Sequence, residues 1–128
     1  MTSQDDPETH LSGVIRILRL EGFAVLAAAL YGAISSSDSW LLVATLFFLP
    51  DISIIGYAAG PRVGATIYNL AHSYVLPILL FGFAVTILPW LIVPTLAWIA
   101  HIGFDRALGY GLKHAEGFRF THLGIIGR

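Results

Sequence analysis

Four stretches apolar and long enough to cross a bilayer occupy this chain almost end to end, at residues 11–34, 40–60, 63–88 and 91–112. A helix needs about 20 residues to traverse ~30 Å of hydrocarbon, and inside that layer every backbone polar group must be satisfied within the structure. These lengths suit helices. Charge is scarce in the same sense. Asp, Glu, Lys and Arg make up 12% of the 128 residues and hydrophobic residues 56%, whereas a soluble domain carries ~25% charged residues to clothe its surface.

Other classes drop out quickly. The absence of cysteine removes a disulfide framework, a thiolate zinc site and a Cys nucleophile. A net charge of −1 with seven Lys and Arg offers no basic face, so no nucleic-acid partner is expected. Residues 1–10 read as a polar tail carrying Asp5, Asp6 and Glu8, residues 11–112 as the transmembrane domain, and residues 113–128 as a cytoplasmic tail with Lys113, His114, Glu116, Arg119 and His122. Arg16 and Arg19 ahead of an apolar core also fit a signal peptide, but no A-x-A-like site follows and three further apolar segments do.

The basic residues orient the chain. In a four-span arrangement Arg16, Arg19, Arg62, Arg106, Lys113, Arg119 and Arg128 all fall on one side, while the links around Asp38 and Trp90 hold none. The positive-inside rule then puts both termini in the cytoplasm. Short links imply an all-α, antiparallel four-helix bundle. Gly56, Gly60 and Gly64 form tandem G-x-x-x-G patterns, which serve either close packing within one subunit or the seam of a homo-oligomer.

The informative residues are ionisable groups inside the apolar segments: Glu21 in the first, Asp51 in the second, His72 in the third with Asn69 beside it, and His101 and Asp105 in the fourth. Each costs roughly 2.5–3.5 kcal/mol at the bilayer centre unless partnered. Counting inward from the cytoplasmic ends at ~1.5 Å per residue, Glu21, Asp51, His72 and His101 reach one level within about a helical turn, with Asp105 one turn nearer the cytoplasm. His101 and Asp105, at i and i+4, share a helix face. Pro50 and Pro77 each remove a helical hydrogen bond and loosen the backbone beside this layer.

Imidazole plus carboxylate is a ligand set for zinc, manganese or iron, so Asp51, His72, His101 and Asp105 are candidate ligands of a divalent cation. A metal-free hydrogen-bond network is the plainer alternative. A further one makes His72 and His101 the axial ligands of a haem held between helices.

The chain resembles the bacterial membrane family catalogued as domain of unknown function 4260, over most of residues 14–128. The likeness lies in Leu49-Pro50-Asp51-Ile52-Ser53, Gly60-Pro61-Arg62-Val63-Gly64, Tyr68-Asn69-Leu70-Ala71-His72-Ser73, the run from Ala100 to Gly111 containing His101-Ile102-Gly103-Phe104-Asp105, and Thr121-His122-Leu123-Gly124. It implies location in a bacterial inner membrane and no particular activity. More distantly, the order L-P-D, H-S, H-x-x-x-D is similar to inner-membrane metal-dependent hydrolases that include the LexA-binding membrane protein. That likeness implies metal ligation by Asp51, His72, His101 and Asp105. This chain departs from it at Ala71-His72-Ser73, where the fuller H-R-x-x-T-H run is missing.

The leading functional expectation is a metal-dependent hydrolase at the cytoplasmic leaflet, acting on a lipid or an amphiphilic ester or phosphoester, with Glu21 or His122 as general base or acid. The alternatives are a small transporter or proton relay working as an oligomer, and a non-enzymatic membrane assembly protein whose polar layer sets helix register.

Overall fold

Without a proline between Glu8 and Ser35, the first segment folds as one unbroken helix, α1 (Pro7–Ser35), in a computed structural model that describes residues 7–114 and 117–125. The acidic start with Asp5 and Asp6, Glu116 and Arg128 lie outside the described residues. Ser39 caps the next helix, α2 (Trp40–Phe48), by accepting from the Leu42 N–H at 3.2 Å. Pro50 cannot donate to Leu46. The Leu49 N–H takes that carbonyl instead, and the chain tightens into a 3-10 helix over Leu49–Ala59, long for its kind.

Gly60, at φ +111°, ends that helix and Pro61 opens α3 (Pro61–His72). The third apolar segment, expected as a single helix, is two. Ser73 is extended after His72, and α4 (Val75–Thr86) starts afresh with Pro77 in its first turn, where a missing N–H costs nothing. The carbonyls exposed by this break are taken by the neighbouring segment: Trp98 Nε1 donates to Ala71 O at 2.5 Å and Arg106 Nη2 to His72 O at 3.2 Å. Such substitutes are what irregular backbone at membrane depth requires.

A single 3-10 turn, Pro89–Leu91, leads into α5 (Ile92–Leu108). Gly109, at φ +88°, closes α5, with the Gly109 N–H donating to Arg106 O and the Tyr110 N–H to Asp105 O. His10–Ser35, Trp40–Ala59, Pro61–Thr86 and Pro89–Leu108 are each long and apolar enough to cross a membrane, and the chain is a membrane protein. The fourth span is the most buried and packs against α1, α2 and α4. Large apolar side chains such as Leu20, Phe23, Ile55 and Leu79 cover the outer faces of the other three.

Two glycines set the tightest crossing. A Cβ on Gly22 would lie 2.8 Å from Ala107 N, and one on Gly103 would lie 2.7 Å from both Gly22 O and Leu26 N, so α1 and α5 meet backbone to backbone. The G-x-x-x-G run is used within the chain as well: a Cβ on Gly56 would touch Ile67 and one on Gly64 the Tyr57 ring. Past α5 the polypeptide forms a three-stranded antiparallel sheet, β1 (Lys113–His114), β2 (Gly117–Thr121) and β3 (Gly124–Ile125), with Lys113 opposite Thr121. The spans are thus helical, and this small sheet stands outside them, in the segment expected as a tail.

Candidate functional site

The start of the 3-10 helix, the end of α3 and two successive turns of α5 come together, and four polar side chains meet there. His72 Nε2 lies 3.2 Å from His101 Nε2, 3.6 Å from Asp51 Oδ1 and 3.4 Å from Asp105 Oδ2. His101 Nε2 lies 3.3 Å from Asp51 Oδ1 and 3.4 Å from Asp105 Oδ2. One donor atom from each residue falls within 4.8 Å of all the others. His72 and His101 are almost fully buried and the Asp105 side chain is 11% exposed, whereas that of Asp51 is 45% exposed and faces outward.

Both rings turn Nε2 toward the cluster. His72 Nδ1 sits 2.9 Å from the Tyr68 carbonyl, which only accepts, so the proton belongs on Nδ1 and the Nε2 lone pair faces the cluster. Tyr68 stacks on the His72 ring at 3.7 Å and 7°, and its hydroxyl donates to Asp105 Oδ2 at 3.4 Å. Phe47 packs edge-on against His101 at 5.3 Å.

The geometry admits a cation. Ligands ~2.0–2.1 Å from a tetrahedral ion stand about 3.3–3.4 Å from one another; five of the six separations run from 3.2 to 3.6 Å, and the sixth, between Asp51 and Asp105, is within 4.8 Å. Two carboxylates and two imidazoles, with no sulfur, are the donors expected for zinc, manganese or iron. Haem fits poorly. Its axial ligands approach from opposite faces of a macrocycle, but here Asp51 and Asp105 crowd the same two nitrogens and leave no slot for the ring.

Asp51, His101 and Asp105 line a cleft of 320 Å³ together with Tyr68, Phe48, Phe104 and Lys113, while His72 lies behind them. Lys113, expected in a solvated tail, is 5% exposed and its Nζ lies 4.9 Å from the Tyr68 ring centroid. Asn69 brings it there: Asn69 Nδ2 donates to the Lys113 carbonyl at 2.8 Å and the Lys113 N–H donates to Asn69 Oδ1 at 2.6 Å. A strand-like amide clamp thus joins α3 to β1. Asn69 was a visible signal in the sequence, as an amide inside an apolar segment, but nothing there named its partner.

Burial pushes the Lys113 ammonium down to about 8, against the opposing pull of the Asp105 carboxylate. Between that value and the ordinary 10.5 the unfolded chain binds more protons, so stability rises with pH across this window and the cost of the charge is complete below it. Melting of metal-free protein from pH 7 to 10 is expected to show a midpoint that climbs above pH 8. Lys113→Met should flatten the climb and stabilise the protein at pH 7 by about 1–3 kcal/mol. Identical pH slopes for the two proteins would disprove the assignment.

Glu21 and His122 are not brought to the cluster. They line a second cleft of 540 Å³ with Tyr74 and Arg106. There Arg106 Nη1 approaches His122 Nε2 at 2.9 Å, and the Leu112 N–H donates to His122 Nδ1 at 2.8 Å. Gly111 permits this fold-back, since a Cβ there would lie 2.5 Å from His122 Nδ1. Glu21, which residue counting puts at the depth of the cluster, lines a different cleft.

Searches of characterised proteins and of solved structures return no match. The family comparison does: residues 15–126, which contain Glu21, Asp51, His72, His101, Asp105 and the sheet that carries Lys113, match Domain of unknown function (DUF4260), and the chain belongs to that family.

Proposed function

We propose that this membrane protein is a metal-dependent hydrolase whose cation is held by Asp51, His72, His101 and Asp105. The observation that carries the reading is the convergence of four donor atoms within 4.8 Å, three of them on residues that line a cleft, Asp51, His101 and Asp105. A divalent cation there would polarise a scissile carbonyl or phosphoryl oxygen and lower the pKa of water. The protein's own groups supply the frame: Tyr68 orients His72 and Asp105, and the exposed flank of Asp51 leaves the mouth of the site open. The reaction adds the oxygen of water to the scissile carbon or phosphorus, breaks its bond to the alcohol oxygen, and delivers a proton of water to that alcohol. Proton transfer falls to groups of this cleft rather than to Glu21 and His122, which line the other one.

The setting belongs to the same reading. In the four-span reading of the sequence all seven Lys and Arg fall on one side, which we take as the cytoplasmic face of a bacterial inner membrane, with both termini there. The substrate is then a membrane lipid or amphiphile reached from that leaflet. Protein in nanodiscs is expected to hydrolyse long-chain fluorogenic ester or phosphoester probes, to lose at least 100-fold of its rate on chelation, and to recover when zinc, manganese or iron is restored. Hydrolysis that persists after metal removal, or that is absent with every restored metal, would overturn the proposal.

A further inference from the structure

The cleft beside the cluster shares two of its lining residues with an apolar neighbour. Phe48 and Phe104, which wall it on one side, also wall a groove of 460 Å³ between α1, α2 and α5, lined by Leu26, Leu30, Val43 and Ala44 among others and almost wholly apolar. A polar pocket and an apolar trough therefore share an aromatic border, set by Phe47, Phe48 and Phe104 packed edge to face at 5.1 and 5.6 Å. An occupant reaching both has a charged end and a long hydrocarbon end.

Charge decides the sign of that end. With a divalent cation on Asp51 and Asp105 the carboxylates are neutralised, and the buried Lys113 leaves the cleft with a net charge of +1. A neutral ester has no need of such a cation, whereas an anionic phosphoester uses it directly: a compact ammonium is a point-charge partner for phosphate oxygens. Lys113 is also ordered for the purpose, its backbone clamped by Asn69 on α3. We infer that the substrate is a phosphoester amphiphile, its phosphate seated between the Asp51–Asp105 cluster and Lys113 and its hydrocarbon chain laid in the groove beyond Phe48 and Phe104. This inference rests on the metal-site reading above and narrows it from esters in general to phosphoesters.

The test is binding, so that it stands apart from turnover. Full-length protein in phosphatidylcholine nanodiscs, with its metal content measured, is titrated with dodecyl phosphate, dodecanoate and inorganic phosphate. Dodecyl phosphate is expected to bind at least 10-fold tighter than either of the others. Lys113→Met should lose at least 10-fold of that affinity while keeping its metal, and Lys113→Arg should keep most of it. Ala44→Trp, which fills the groove, should reduce dodecyl phosphate binding toward the level of inorganic phosphate and leave the latter unchanged. Equal binding of dodecanoate would overturn the phosphate assignment. Bulk lipid alone in the groove would show as no gain from the dodecyl chain and would overturn the chain site. Lys113-dependent binding in protein that lacks metal would sink the metal reading and leave the anion site standing, so the two failures are distinguishable.

Discussion

Purified protein is expected to carry one divalent cation per chain, and His72→Ala, His101→Ala and Asp105→Ala each to weaken its binding by at least about 100-fold, beyond the 10–100-fold typical of losing a supporting residue. Glu21→Gln and His122→Ala, which alter the other cleft, should retain it. Elemental analysis after dialysis checks this directly. A metal-free hydrogen-bond network makes the opposite forecast about stability. In such a network Asp105 is a needed acceptor for Tyr68 and His101, so Asp105→Asn would destabilise the chain. If the carboxylates are instead gathered for a cation, the metal-free protein holds two like charges together, and Asp105→Asn should raise its melting temperature while abolishing metal binding. No bound metal together with a destabilised Asp105→Asn would decide for the network.

The second large effect concerns packing. Gly103→Leu should reduce stability by ~3 kcal/mol or more, above the usual overpacking range, because the new Cβ meets backbone atoms of α1 and not a side chain that can turn away. Gly22→Leu should act alike, since its Cβ would press on Ala107 N and Gly103 O. Both should lose the metal too, as α5 carries His101 and Asp105. Gly82→Leu is the control: a Cβ there meets nothing within 4 Å, and the variant should melt close to the wild type. Melting midpoints and metal content measured on the same preparations check the set, and a Gly103→Leu protein with a wild-type midpoint would refute the backbone crossing.

These two expectations differ in how they could be reached. The meeting of Asp51, His72, His101 and Asp105 is legible from residue type and position, since Asp51, His72 and His101 count to one depth and Asp105 follows one turn on. The crossing at Gly22 and Gly103 was not, for the visible G-x-x-x-G run drew attention to Gly56, Gly60 and Gly64, and of those Gly56 and Gly64 pack against Ile67 and Tyr57 within the chain. The prolines mark in the sequence where the backbone departs from the α-helix, but not how far the departure extends. Pro50 heads an 11-residue 3-10 helix, and Pro77 stands past a full break.

Depth in the membrane is a one-dimensional quantity, fixed by the helical rise and the position of a residue in its apolar segment. Span number, membrane location and the level of the acids and imidazoles therefore follow from the order of residues alone. Which of the groups at that level meet depends on the rotation of each helix about its axis and on where the backbones cross, and these arise from packing between segments distant in the chain. Hence Glu21 counts to the level of the cluster yet lines another cleft, and Lys113, beyond the last span, is drawn back to the site by the side chain of Asn69.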